Sequence, residues 1–487
     1  MKTVITFISL FNMLLLFGCG GGGSGGGNNT NPTPAPTDTP VTLEISTTTI
    51  SFGANGGTEQ FQITTGANWT INSTSDWLSV SDSSGSGNTS ITLNVQSNEQ
   101  SGVRSADIQI SAGSLSRTIN VTQGAVNNNG LEYAVPPDST GIRDLTSAEF
   151  ADLLGIGINI GNSLEATPGG ETAWGNPLIT QELLNSFKAA GFDSVRLPVA
   201  WSQFSDEANF IIESSWLERV EEVVNYALTA DMYVVMNIHW DGGWMQPTYA
   251  DEDYVNSRLA IMWEQIATHF RDYDDRLLFA GTNEILVDGD YSTPTEEYYT
   301  VQNGFNQTFV TTVRATGGKN AYRQLVVQGF NTNINHTINF AVMPDDVVEN
   351  RLMIEVHYYD PYNFTLNADS NITQWGDLAE DPDLMESWAN EGWADSQFEG
   401  MKIHFYDQGI GMILGEYGAI SRPDVPGHEA YRVYWNQYIT EAAVANKLVP
   451  FYWDNGFTGD GGMGLFNRNT AAQVYSEIIQ VITGADD

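Results

Sequence analysis

From about residue 150 onward the chain repeats one pattern: a short run rich in Val, Ile, Leu and Phe, then in most cases an amphipathic stretch. Eight such runs end at Asn159, Pro198, His239, Glu284, Gln328, Tyr359, Glu416 and Trp453. Near-continuous apolar runs are the mark of strands buried on both faces, and parallel strands need helical crossovers between them. The intervening stretches supply these crossovers. In 214–232, Trp216, Val220, Val223, Val224 and Ala227 recur at helical spacing, as do Tyr431, Tyr434, Trp435, Tyr438 and Ile439 in 428–446. Eight strands alternating with helices predict an α/β fold of the (β/α)8 TIM-barrel type. A doubly wound sheet is the competing arrangement, but no G-x-G-x-x-G and no P-loop lysine follows any run, so its nucleotide-binding versions lack support.

A chain of 487 residues has length for about three domains, and the rest divides accordingly. Lys2 followed by the apolar stretch 4–17 is too short for a membrane span, which needs about 20 apolar residues. Residues 1–18 therefore read as a signal peptide. Leu16-Phe17-Gly18-Cys19 resembles a bacterial lipobox, in which the cysteine becomes the acylated first residue; Phe17 departs from its usual small or aliphatic residue. Cys19 is the only cysteine, which excludes a disulfide framework and any cysteine-rich metal site. Residues 19–40 pass from Gly/Ser to Pro/Thr and form a tether. These features place the protein at a bacterial cell envelope, lipid-anchored through Cys19 at the surface of the outer membrane, with plain secretion as the alternative. It is expected to act as a monomer.

Residues 41–124 are dominated by Ser, Thr, Asn and Gly, with short alternating runs at 42–46, 58–64, 90–95, 106–110 and 117–121. They predict a small all-β immunoglobulin-like sandwich. Trp69-Thr70-Ile71, Asp76-Trp77-Leu78-Ser79-Val80, Asn98, Arg104 and Val121-Thr122-Gln123 resemble the BACON domain found beside carbohydrate-active enzymes. Trp69 and Trp77 are candidate glycan-stacking residues or core residues, and the domain a binding module or a spacer. A linker over 125–141 leads to the barrel at 142–487.

Charge narrows the partners. Nineteen basic against 60 acidic residues give a net charge of −41, which repels phosphate backbones and argues against nucleic acid.

The ends of the apolar runs carry the chemistry, because barrel enzymes place catalytic groups at the C-terminal ends of strands. Run two holds Arg196, run three ends in His239-Trp240, and run four in Asn283-Glu284. Run six ends in His357-Tyr358-Tyr359, run seven in Gly415-Glu416-Tyr417 and run eight in Trp453-Asp454-Asn455. A glutamate closing an apolar strand is expensive unless paired or functional. Two carboxylates across a cleft are the minimum equipment for glycoside hydrolysis. The same pair suits a divalent cation, but no D-x-D-x-D cluster accompanies it, so no metal is expected.

Residues 142–485 resemble glycoside hydrolase family five, whose signature is Asn-Glu at strand four and Glu at strand seven. Here these are Asn283-Glu284 and Glu416. The resemblance implies that Glu284 is the general acid/base and Glu416 the nucleophile, with retention of configuration and no cofactor. It further implies that Arg196 orients Glu416 and keeps it ionised, and that His239 lines the −1 subsite. By the same resemblance Asn283 bonds the sugar 2-hydroxyl, His357 assists the acid/base, Tyr359 contacts the nucleophile and Trp453 floors the −1 sugar. Ile285 stands where the family usually has proline, which puts the local backbone in question. Gly157–Ala166, Glu171–Pro177, MNIHWDGGW from Met236 and FYWDNG from Phe451 resemble the subfamily-four endoglucanases. That makes Asn162, Trp174, Trp240 and Trp244 candidate sugar contacts, with core or loop packing as the alternative.

The function so implied is a retaining endo-β-1,4-glucanase acting on a β-glucan such as cellulose, mixed-linkage glucan or xyloglucan. A xyloglucan-specific enzyme or β-mannanase on the same scaffold, and a surface glycan-binding lipoprotein, are the alternatives. His269, His336, His404 and His428 read as solvated or capping residues.

Overall fold

The structure is a computed structural model that describes residues 41–52, 56–73, 75–98, 104–123 and 133–485. The expected signal peptide, Cys19, the tether 19–40 and residues 125–132 lie outside the described residues. What is described falls into two compact units, divided at Asn127/Asn128.

The first unit is a sandwich of two sheets. One orders Glu44–Ile45, Gly57–Thr64, Thr89–Val95 and Leu78–Val80; the other orders Thr49–Phe52, Leu115–Gln123, Arg104–Ala112, Asn68–Ser73 and Ser84–Ser86. Alternation does the sorting. Phe61 and Ile63, Ile91 and Leu93, Ile108 and Ile110, and Ile119 and Val121 all point into one core while their neighbours face out. Trp69 is buried in that core, its indole N–H donated to the Gly87 carbonyl at 3.1 Å. Trp77 packs half-buried beside the core, with the Arg104 guanidinium 4.4 Å from its ring centre. Both tryptophans are built into the sandwich.

The second unit is a closed barrel of eight parallel strands. In order they are Gly157–Ile160, Ser194–Leu197, Tyr233–Asn237, Leu277–Ala280, Leu325–Gln328, Leu352–Tyr358, Gly411–Tyr417 and Leu448–Asp454. Every second residue faces the barrel axis. Val195, Leu197, Val234, Met236, Ile354, Val356, Met412 and Leu414 face the helices. Val235, Leu278, Ala280, Val326, Met353, Ile413, Val449 and Phe451 fill the axis and are plugged from below by Phe150 and Leu154. Phe150 belongs to the helix Ser147–Ala151, whose start is fixed by a reciprocal cap between Thr146 and Glu149. Above this apolar layer the same inward parity delivers Asn159, Arg196, Asn237, Gln328, Glu355 and His357, all buried. That polar layer is the floor of the site.

Three expectations need correction. The ladder of strand three stops at Asn237 and that of strand four at Ala280, so His239 and Glu284 sit in the following loops. Burial runs on past each ladder, through Ile238 and through Thr282 and Asn283, which is why the sequence pattern runs long. Residues 133–141, read as linker, are held on the barrel unit: Ala134 N–H donates to Ala315 O at 2.9 Å and Asp138 N–H to Gly318 O at 3.0 Å. Gly317, at φ +71°, admits the Val135 carbonyl where any side chain would collide. His428 is neither solvated nor a cap; it is buried, with its ring nitrogens 2.9 Å from Thr373 O and 3.2 Å from Ile420 O.

Candidate active site

Arg196 is the hub. Strand two turns its fully buried guanidinium inward, where Nη1 donates to Glu416 Oε1 at 2.8 Å and to Asn159 Oδ1 at 3.0 Å. Nη2 donates to Asn283 Oδ1 at 2.6 Å and pairs with Glu355 Oε1 at 2.8 Å. The Asn159 amide is itself oriented, since its Nδ2 donates to the Gly415 carbonyl at 2.8 Å. A guanidinium stripped of water persists only when its charge is paired, and here four acceptors from four strands or loops take its two Nη groups, while Nε is buried without a partner.

Glu416 projects inward because strand seven slips its register against strand six between Leu414 and Glu416. Such bulges re-aim side chains beside active sites. Its Oε1 takes the Arg196 bond, and its Oε2 accepts the Tyr359 hydroxyl at 3.1 Å and lies 3.7 Å from His357 Nδ1. Burial pushes the Glu416 carboxyl above its ordinary value, against the pull of His357 and Arg196.

Glu284 sits at φ +48°, a left-handed conformation uncommon outside glycine, which supports a held rather than a relaxed loop. Two bonds hold it. Its N–H donates to Gln328 Oε1 at 3.2 Å, and the next residue, Ile285, is buried and accepts Asn331 N–H at 2.9 Å. Isoleucine in place of the usual proline thus anchors the loop by burial. The Glu284 side chain remains 40% exposed to the cleft, and Oε1 lies 2.7 Å from His357 Nδ1. Burial opposes the His357 imidazolium, yet Glu416, Glu284 and Glu355 keep it protonated up to about 9. Burial likewise raises Glu284, but the His357 bond and charge outweigh it and the carboxyl is lowered. In the free site the proton shared by this pair rests on His357.

His239 behaves oppositely. Burial, with Arg196 and His357 nearby, drives its pKa well below the ordinary value, so it is neutral. Val199 N–H donates to Asn237 Oδ1 at 3.2 Å, which turns the amide Nδ2 toward His239 Nδ1 at 3.2 Å. Nε2 lies 3.5 Å from Asn283 Nδ2 and 4.0 Å from Glu416 Oε1. Trp453 stacks on the His239 ring with centres 5.8 Å apart and planes 11° apart.

These groups open into a cavity of about 950 Å³ lined by His239, Glu284, His357, Tyr359, Glu416 and Trp453. A second cavity of about 540 Å³, lined by Trp240, Asn283, Leu286 and Tyr291, shares Glu284 with the first. Together they form a cleft that passes both sides of Glu284, large enough for an oligosaccharide. One carboxylate oxygen of Glu284 and one of Glu416 lie within 4.8 Å of each other. Two such carboxyls, one exposed beside a proton reservoir and one bonded to a guanidinium, can protonate a leaving oxygen and attack the carbon it leaves.

The sequence-predicted residues separate here. Arg196, His239, Asn283, Glu284, His357, Tyr359, Glu416 and Trp453 come together, and Trp240, 53% exposed, walls the second cavity. Trp244 does not reach either cavity: its indole N–H donates to Asp241 Oδ2 at 2.8 Å and the Arg258 guanidinium covers its ring at 4.3 Å. Asn162 is tied into its loop, its N–H donated to Glu165 and its carbonyl accepting Asn176 Nδ2 at 2.8 Å. Trp174 is 47% exposed but lines neither cavity. Asn159, Asn237, Gln328 and Glu355 were missed as site residues. Glu355 carried a usable signal, since it stands two residues before His357 and shares its strand face.

The family model for cellulases of glycosyl hydrolase family 5 matches residues 159–459, and the BACON model matches residues 67–124. The chain is 42% identical over 440 residues to a xyloglucan-specific endo-β-1,4-glucanase of Bacteroides ovatus, covering 86% of each chain. It is 39% identical to endoglucanase A of Paenibacillus barcinonensis over 371 residues, 72% of this chain and 92% of the relative. Among solved structures, the Bacteroides ovatus GH5 xyloglucanase in complex with a XXXG heptasaccharide superposes with a TM-score of 0.72 at 40% identity, over 91% of this chain and 99% of that one. A GH5-4 broad-specificity endoglucanase from Bacteroides salanitronis gives a TM-score of 0.67 at 40% identity, over 71% and 96%.

Proposed function

This chain belongs to glycosyl hydrolase family 5, with a BACON domain ahead of its barrel, and from that premise we propose a retaining endo-β-1,4-glucanase in which Glu284 is the acid/base and Glu416 the nucleophile. The observation that carries this reading is the closeness of two carboxylates in unlike settings. An oxygen-to-oxygen approach within 4.8 Å suits the ~5–5.5 Å spacing of retaining enzymes and falls short of the ~6.5–9.5 Å that inversion needs for its water.

In the first step Glu416, aligned by Arg196 and Tyr359, attacks the anomeric carbon from below. Glu284 delivers the proton it shares with His357 to the departing glycosidic oxygen. The glycosyl–Glu416 ester forms as the glycosidic bond breaks. In the second step Glu284 takes a proton from water, which attacks the same carbon and frees Glu416. Asn283, held by Arg196, presents its amide to the sugar 2-hydroxyl, and Trp453 on His239 forms the platform beneath the ring. The substrate is a β-1,4-glucan. Xyloglucan is included on the strength of the Bacteroides ovatus relative. Residues 41–487, incubated with carboxymethyl-cellulose, mixed-linkage glucan, xyloglucan, glucomannan and xylan, should release short β-1,4-gluco-oligosaccharides. No products from any glucan would overturn the reading in favour of a glycan-binding protein.

We also infer that the mature protein is a monomer anchored to the cell envelope by a lipid on Cys19, working on polysaccharide at the outer face. The apolar stretch 4–17, the cysteine that follows and the tether 19–40 support the anchor. Among the described residues no helix is long and apolar enough to cross a membrane. Radiolabelled fatty acid should enter the wild-type chain and not Cys19→Ala; equal labelling of both would refute the anchor.

A further inference from the structure

Glu355 is fully buried on strand six, and all three of its neighbours converge on one oxygen. Arg196 Nη2 lies 2.8 Å from Oε1, Gln328 Nε2 donates to it at 3.0 Å, and His357 Nε2 lies 3.1 Å away. The other oxygen, Oε2, is buried with no partner. A carboxylate left half unsatisfied in a barrel interior is costly, and a chain selected only for stability would place an apolar residue there. The structure instead makes room for it. Strand seven carries Gly415 opposite, where an added Cβ would stand 2.2 Å from Glu355 Oε1.

The orientation of every partner is determined. Glu284 N–H occupies Gln328 Oε1, so Gln328 must present its amide donor to Glu355. Glu355 Oε1 therefore acts as acceptor to all three neighbours, and His357 Nε2 must carry a proton to meet it. With Nε2 committed, Nδ1 is the only ring position left to exchange a proton with Glu284, 2.7 Å away. The opposite tautomer would leave Nδ1–H fixed and Glu284 without a proton partner.

We propose that Glu355 is a positioning residue that fixes the site of the exchangeable proton: by taking Nε2–H it dedicates His357 Nδ1 to the acid/base Glu284, and by sharing Arg196 with Glu416 it ties that proton to the charge of the nucleophile. This rests on the reading of Glu284 as acid/base and Glu416 as nucleophile. The groups facing this cluster are Arg196 from strand two, His239 and Glu284 from the loops after strands three and four, His357 and Tyr359 from the end of strand six, and Glu416 from strand seven. The positive members are Arg196 and His357. With Glu355 and Glu416 ionised, the cluster carries a net charge of −1 whether the one shared proton sits on His357 or on Glu284.

Glu355→Gln keeps an acceptor and removes the charge. Glu355 favours the proton on His357 and on Glu416, so both limbs of the kcat/KM pH profile on a soluble β-glucan should move to lower pH by about one unit or more. A lower rate with both limbs in place would mean a merely structural role and overturn the proposal. Should the variant not fold, the unaltered protein answers the question by nitrogen-15 NMR of its histidines, with His357 identified by comparison with His357→Asn. Its Nε2 should carry a proton across the whole working pH range, and a bare Nε2 would overturn the proposal. Normal polysaccharide hydrolysis by Glu284→Gln would instead place the fault in the underlying reading.

Discussion

The guanidinium of Arg196 and the carboxylate of Glu416 meet at 2.8 Å with the arginine wholly out of water and the glutamate nearly so. Removing one member of such a pair strands the other, at a cost of ~3–5 kcal/mol. Here Arg196→Met would strand both Glu416 and Glu355. It should lower the melting temperature by several degrees and abolish turnover. Arg196→Lys keeps one charge but cannot fill four acceptors from a point, and should lose about a hundredfold in kcat/KM, ~2.7 kcal/mol. Thermal melts and initial rates on the two variants check this; a lysine variant of wild-type activity would show that the fork geometry is unimportant.

Activity should follow a bell in pH. The acidic limb belongs to Glu416, whose carboxyl is raised by burial, and activity falls as pH drops through that value because the nucleophile becomes protonated. The basic limb belongs to the proton shared by His357 and Glu284, and activity falls as pH rises toward about 9. Stability carries the same sign. A histidine raised from about 6.5 contributes stability that is fully present below about 6.5 and is lost as pH rises through about 9. His357→Gln should therefore flatten the alkaline fall in melting temperature.

Glu284→Ala should slow the release of poor leaving groups far more than that of a dinitrophenol, which departs without a proton. With the acid/base gone, added azide should restore turnover of the activated substrate and yield a β-glycosyl azide. The measurement is the identity of that product, and an α-linked azide would speak against Glu416 as nucleophile.

Two tryptophans of one loop should behave differently. Trp240→Ala removes an exposed wall of the cleft and should raise KM on polysaccharide several-fold with little change in melting temperature. Trp244→Ala uncovers Arg258 and frees Asp241, so it should destabilise by ~2 kcal/mol while leaving KM close to wild type. Melts and Michaelis curves on both variants decide between wall and scaffold.

Much of this was legible in the chain because apolar runs announce buried strands and the polar residue that ends one is conspicuous. Arg196 and Glu416 stand out for that reason. Glu355 did not, since one acidic letter inside Leu352–Tyr358 is read as a flaw in the run until its parity with His357 is noticed. Trp244 and Trp240 look alike in sequence, and only the Gly242-Gly243 turn between them sends one to the cleft and the other to Arg258. The stretch 133–141 has the composition of a linker, but its backbone finds partners at Ala315 and Gly318 that no local pattern reveals. His428 looks like a helix-start residue, and its burial depends on two carbonyls more than fifty and eight residues away.

The central claim is a double displacement between Glu284 and Glu416, and the stereochemistry of the first-formed product tests it most directly. Proton NMR recorded during the opening minutes of cello-oligosaccharide hydrolysis should show the new reducing end appearing as the β-anomer, with the α-anomer growing in later by mutarotation. An initial α-anomer would contradict the account, because it would require water rather than Glu416 to make the first attack.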